Sequence, residues 1–242
     1  MKKILLVAAI ASTFMAFAEE SEAPAGGGTA NATEVQQIGI TAITTSRQSV
    51  IVAFSYTGVT ADKLVKTTNL TVGDELHGFV NDEYTTWTLL ENETTGSKYW
   101  EANYESTTNG TKGGTPAVDF LQPVGTGIWL VRQHPTDNTG SAIPFYIYGT
   151  PATDKTIKVS AGTTRLIGNP NSTPTSTSPT IIDAAAGDAI YIPNGKAFTK
   201  YTYGSNKKWN KGFTELENPP TFDANTGAWY ESKGTENVTI EW

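Results

Sequence analysis

The sequence predicts an all-β fold in which two pseudo-repeated antiparallel β units form a sandwich or a closed barrel. Three observations lead there. From Ile38 onward, short runs of β-branched and aromatic residues alternate with clusters of Gly, Asn, Asp and Pro, the pattern of many short strands. The 242 residues include 23 Gly and 12 Pro, enough turn formers to punctuate the chain throughout. Finally, one series of motifs occurs twice in the same order.

The chain opens with Lys2 and Lys3 ahead of an apolar run from Ile4 to Phe17, which is too short to persist as a membrane anchor. Ala16-Phe17-Ala18 places small side chains where a signal peptidase needs them, so residues 1–18 read as a signal peptide cleaved after Ala18. No cysteine follows to carry a lipid, and no later stretch has the length and apolarity of a membrane helix. Residues 19–35 are small, polar and Gly/Ala-rich without periodicity, and read as a flexible leader. Val50, Val52, Phe54 and Tyr56 alternate with Ile51, Ala53 and Ser55, which puts four apolar side chains on one sheet face. Ala61 to Lys66 carries the one hint of a helical turn.

The first β unit, residues 36–150, presents Val72-Gly73-Asp74-Glu75-Leu76 and then an aromatic strand ending at Trp87. Lys98-Tyr99-Trp100, Thr126-Gly127-Ile128-Trp129-Leu130 and Pro144-Phe145-Tyr146-Ile147-Tyr148 follow. The second unit, residues 155–242, answers with Ala186-Gly187-Asp188-Ala189-Ile190, an aromatic strand through Tyr201, and Lys207-Lys208-Trp209. It ends on Thr226-Gly227-Ala228-Trp229-Tyr230 and Val238-Thr239-Ile240-Glu241-Trp242. Upstream, Ser46 to Ile51 stands opposite Ala161 to Ile167, and Pro151 and Asp154 mark the joint. Asn194-Gly195 between Ile190-Tyr191-Ile192 and Phe198 to Tyr201 signals a hairpin whose two central residues take positive φ, with Asn81-Asp82 at the equivalent corner. The Thr-, Ser- and Pro-rich segments 105–115, 134–142 and 168–180 read as surface loops. The spacing does not decide whether the units share one core.

These motifs, the Gly-Asp strand, the aromatic strand, the Thr-Gly-x-Trp strand and the terminal Val-Thr-Ile-x-Trp, resemble tandem β repeats in exported proteins of Gram-negative bacteria. The resemblance covers most of the chain after the signal peptide. It implies a surface or secreted role and brings no catalytic or ligand residue with it.

Composition removes several function classes. A net charge of -7 disfavours nucleic acid and anionic membrane surfaces as partners. With no cysteine, stability must come from core and sheet pairing rather than disulfides, which suits Gram-negative export. Asn-x-Thr sequons at Asn31, Asn69, Asn92, Asn109, Asn171 and Asn237 read as products of a Thr- and Asn-rich composition. His77 and His134 alone cannot assemble an ordinary zinc site, and no nucleophile elbow, phosphate loop or His-Glu-x-x-His motif is present. Asp74 and Asp188 could form an acid and base pair for glycoside chemistry, but an Asp after Gly at a strand entry more commonly caps a turn. Asp223-x-Asn225-x-Gly227 resembles the start of a calcium loop, yet lacks the closing acidic residue and has no counterpart in unit one, so it reads as a plain turn.

The tryptophans offer the remaining chemistry, because an exposed indole stacks on a sugar ring while nearby Asp or Asn bonds its hydroxyls. Trp100, Trp129, Trp209 and Trp229 recur at matching positions and read as core. Trp87 and its match in unit two, Tyr201, are the candidate ligand platform. Trp242, with Ile240 and Val238 behind it, also looks like the terminal strand of an outer-membrane barrel, although most strand signals are too short for lipid-facing staves and Trp242 otherwise closes unit two in the place of Tyr148. The expectation is an exported structural or adhesive protein without catalytic activity or cofactor, at the cell surface or in the medium, with the periplasm an alternative. Its expected partners are itself or a surface glycan. A carbohydrate-binding module and an outer-membrane barrel are the competing readings.

Overall fold

The computed structural model describes residues 39–43, 49–53, 56–57, 64–65, 69–80, 83–103, 105–107, 110–112, 115–116, 125–171, 176–224 and 226–242. The signal segment, the leader, Phe54, Asn81-Asp82 and Asn225 lie outside them. Gln36–Trp242 form one compact unit. The first half contributes β1 (Gly39–Ile43), β2 (Ser49–Ala53), β3 (Tyr56–Thr57), β4 (Glu75–Val80), β5 (Glu83–Glu91), β6 (Lys98–Ala102), β7 (Glu105–Thr107), β8 (Gly110–Lys112), β9 (Thr115–Pro116), β10 (Gly127–Val131) and β11 (Phe145–Pro151). The second contributes β12 (Thr156–Val159), β13 (Thr164–Gly168), β14 (Thr180–Ile182), β15 (Ala189–Asn194), β16 (Ala197–Tyr203), β17 (Trp209–Lys211), β18 (Thr214–Leu216), β19 (Gly227–Glu231) and β20 (Val238–Glu241).

Each half pairs a six-stranded sheet with a three-stranded one. The large sheets run β2-β10-β4-β5-β6-β9 and β13-β19-β15-β16-β17-β18, and the small ones β1-β11-β3 and β12-β20-β14. These orders coincide strand for strand, and the β7–β8 hairpin is an addition in the first half. The strand pairs are antiparallel, and among the described strands no sheet closes on itself. Of the two expected forms the fold is therefore the sandwich, and the barrel alternative loses its architecture.

Alternation explains the cores. In the first half, Val52, Leu76, Trp87, Leu89, Trp100, Ile128 and Leu130 from the large sheet pack with Tyr56, Phe145 and Ile147 from the small one. In the second, Ile167, Ile190, Trp209, Ala228 and Tyr230 face Ile157, Val159, Val238 and Ile240. The alternating run at 50–56 is split between β2 and β3, which belong to different sheets, yet Val50, Val52 and Tyr56 still meet in one core. Leu64 and Val65 are helical, within the stretch expected to turn.

Ile51 pairs with Trp129 and Leu166 with Trp229, which sets Val50 opposite Arg165 in the upstream match. Register corrects several expectations at turns and loops. Asn194 pairs with Ala197, which makes Gly195-Lys196 the two central turn residues in place of Asn194-Gly195. Gly195 alone of the two has positive φ, at 64°, the pattern of a type II′ hairpin. Within 105–115 the chain forms the β7–β8 hairpin rather than a loop. The 168–180 segment begins buried, because the Asn169 N–H donates to Thr226 O at 2.9 Å and its Nδ2 to Phe222 O at 3.2 Å, leaving no need of water.

The halves join through the edges of their large sheets. Val52 bridges Thr226 while Ile167 bridges Thr126, and since Val52 matches Ile167 and Thr126 matches Thr226 the exchange is reciprocal, as across a symmetric dimer interface. Gly127 and Gly227 permit this approach. A Cβ on Gly227 would lie 2.5 Å from Ile51 Cγ2 and 2.7 Å from Ile167 O, and one on Gly127 would lie 2.8 Å from that same oxygen.

Candidate functional site

Both Gly-Asp corners are built the same way. Gly73 and Gly187 take φ of 89° and 100°, which a side chain would strain. The Asp74 carboxylate accepts from Thr71 N at 2.9 Å and Gln133 N at 2.7 Å, and Asp188 accepts from Ala185 N at 3.0 Å and Lys233 N at 2.6 Å. Each carboxylate thus ties a turn to the chain leaving the Thr-Gly-x-Trp strand. Both are buried in separate halves and occupied by backbone donors, so they are structural caps, as the turn reading expects. Burial raises the Asp74 carboxyl above the ordinary aspartate value, and the Thr71 and Gln133 N–H groups and Arg132 pull it back.

The register places Trp87 and Tyr201 at equivalent positions, opposite Leu76 and Ile190. Their environments differ. Trp87 is 2% exposed and lies in the first core, so its indole offers no face to a ligand, which corrects its assignment as a platform. Tyr201 is partly exposed at the rim of the second core, with the Lys211 ammonium 5.9 Å from its ring centroid.

Trp100 and Trp209 are core residues as expected, whereas Trp129 and Trp229 are half-buried at the junction of the halves. Their rings meet edge to face, with centroids 6.2 Å apart. Around them the outer face of β4 and β5 adds His77, Phe79 and Tyr84. Phe79 and Tyr84 lie 6.1 and 6.4 Å from the Trp229 ring, and His77 lies 5.6 Å from that of Trp129. The Arg165 guanidinium covers Phe79 at 4.9 Å. The Trp129 indole N–H donates to the Ser49 hydroxyl.

A hydrogen-bonded chain fixes the exposed member of this cluster. His77 Nε2 lies 3.0 Å from Glu75 Oε2, and His77 Nδ1 lies 3.0 Å from the Tyr84 hydroxyl. A neutral imidazole protonated at Nε2 donates to Glu75 and accepts from Tyr84. The Tyr84 ring, 47% exposed, is therefore held in one orientation with apolar support beneath it. Its phenol is raised by burial and by the Glu75 charge, so it stays protonated near neutral pH. Sequence spacing does not single out His77 and Tyr84 as a pair, and it is the pairing of Val80 with Glu83 that places them on one sheet face.

The calcium-like run is explained otherwise. Asp223 accepts from the Ser176 hydroxyl at 2.7 Å, and Gly227 is a strand residue required by the junction rather than a loop turn. Among the described residues no group of His, Asp and Glu could hold a metal ion. No helix among them is long and apolar enough to cross a membrane. No protein-family model, curated protein or solved structure matches this chain.

Proposed function

We propose that this is an exported, non-catalytic adhesive protein of the cell surface or extracellular space that binds glycans through the aromatic junction between its halves. The observation that carries the reading is the Tyr84 ring, exposed yet held by His77 and Glu75 against Phe79 and Trp229. A pre-oriented aromatic face with hydroxyl, imidazole and carboxylate at its edge matches a sugar ring, whose C–H face stacks while its hydroxyls bond. The Lys2–Ala18 pattern supports export. Occupation of the Asp74 and Asp188 carboxylates by backbone N–H groups supports a role without acid and base catalysis.

A glycan array probed with the full chain tests this. Binding to neutral glycans is expected, with quenching of Trp129 and Trp229 fluorescence. Tyr84→Ala is expected to weaken it about tenfold, the loss of one stacking contact, with the melting temperature nearly unchanged. Equal binding by folded Tyr84→Ala, or no binding by the wild-type chain, would overturn the reading.

A further inference from the structure

The two sandwiches differ at one end. In the first, residues 58–74 connect β3 to β4 and place Leu64 and Leu70 in the cluster that contains Trp87. In the second, residues 183–188 alone connect β14 to β15. That short connection has no counterpart of Leu64 or Leu70. Tyr201, at the Trp87 position, is only partly buried, and so are Ile192 and Leu216 from the large sheet and Ile181 from the small one. The second core thus ends in an apolar ledge that reaches solvent.

Lys211 on β17 is exposed, and its ammonium lies over the Tyr201 ring, 5.9 Å from the centroid. In the second half the rim adds a positive charge. A flat apolar face beside an anion is the chemistry of a uronic acid, whose ring C–H groups stack on an aromatic while its carboxylate meets an ammonium.

We propose that the Tyr201 ledge binds an acidic sugar, a uronic acid unit of a polysaccharide, with its ring face on Tyr201 and its carboxylate on Lys211. This deepens the glycan reading by naming a ligand class, yet it uses no residue of the junction. Two sites on one chain would let the protein hold an acidic polymer and a neutral glycan together, with the gain in avidity that linkage provides.

Calorimetric titration of the full chain with oligogalacturonate tests it, with methyl-esterified oligogalacturonate and polyglutamate as the uncharged-ring and ring-free controls. Oligogalacturonate is expected to bind, and esterification, Lys211→Met and Tyr201→Ala are each expected to weaken it about tenfold. Tyr201→Phe keeps the ring and is expected to retain binding, which separates loss of the site from loss of the fold. Trp229→Ala is expected to leave oligogalacturonate binding intact. Equal affinity for the esterified oligomer, equal affinity for polyglutamate, or no binding by the folded wild-type chain overturns the proposal. Neutral glycan binding lost in Tyr84→Ala but unaffected by Lys211→Met and Tyr201→Ala, with no oligogalacturonate binding by the wild-type chain, overturns this proposal while the junction reading stands.

Discussion

At the scale of single residues, the two halves solve one problem with different side chains. Each buries an aspartate at a Gly-Asp corner, and the strand beside it, with the residue that follows, answers with Leu130 and Arg132 in the first half and Tyr230 and Ser232 in the second. Arg132 donates to Asn69 O at 2.8 Å and Ile143 O at 2.6 Å, while its charge offsets that of Asp74. Tyr230 donates its hydroxyl to Asp188 Oδ2 at 2.7 Å, and burial together with that bond holds the phenol protonated. Tyr230→Phe removes a donor to a buried carboxylate, so urea unfolding is expected to show a loss of about 1–3 kcal/mol. Glu231 sets an acid limit, because the Lys233 ammonium first and the Tyr191 hydroxyl second hold its carboxyl below the ordinary glutamate range. Its contribution is present above the unfolded glutamate value of about 4.3 and is lost as pH falls through the lower folded value. Denaturation midpoints in Glu231→Gln are expected to change less between pH 7 and pH 3 than in the wild-type chain. Asp74, raised by burial, has the opposite sign and is most favourable at low pH, so its effect cannot mimic that of Glu231. The capping role of both aspartates was legible from Gly-Asp at a strand entry. Arg132 and Tyr230 were not, because only strand register shows which side chains reach the corner.

At the scale of elements, the repeated motifs disclosed the strands but not their finer boundaries. The Asn194-Gly195 signal correctly marks a hairpin, and its register is off by one because the single residue with positive φ is Gly195 at the first central position. Gly195→Val puts a β-branched side chain there and is expected to cost about 1–3 kcal/mol, read as a lower melting temperature. No atom lies within 4 Å of the added Cβ, so the cost is one of backbone conformation alone. The hairpin at 105–112 is hidden by its composition, since Gly and Asn are depleted in strands and mark loops. The terminal strand was misaligned for a similar reason. Burial of Phe145 and Ile147 opposite that of Val238 and Ile240 shows that Tyr148 corresponds to Glu241, and that Trp242 lies one residue beyond. Trp242 instead packs on Phe222, with ring centroids 5.0 Å apart, and stands beside Gly125 of the first half.

At the scale of the molecule, the repeat explains both the shared topology and the junction. Recurrence made Trp129 and Trp229 read as core, but two equivalent residues also meet wherever repeats pack about a pseudo-twofold axis. Sequence alone does not separate those cases, because the glycines that permit the contact are read as turn formers until their neighbours are known. The platform at Trp87 fails because the indole is buried in the first core, whereas its match Tyr201 is only partly buried. The central claim is that the halves form one body whose junction carries the aromatic face. Equilibrium urea unfolding of the wild-type chain and of Gly227→Val, followed both by Trp fluorescence and by far-ultraviolet circular dichroism, tests it most directly. The wild-type chain is expected to give a single transition with the two signals coincident, and Gly227→Val, which drives a side chain into Ile51 and Ile167, to unfold at lower urea. Two separate wild-type transitions, or a Gly227→Val midpoint equal to that of the wild-type chain, would contradict it.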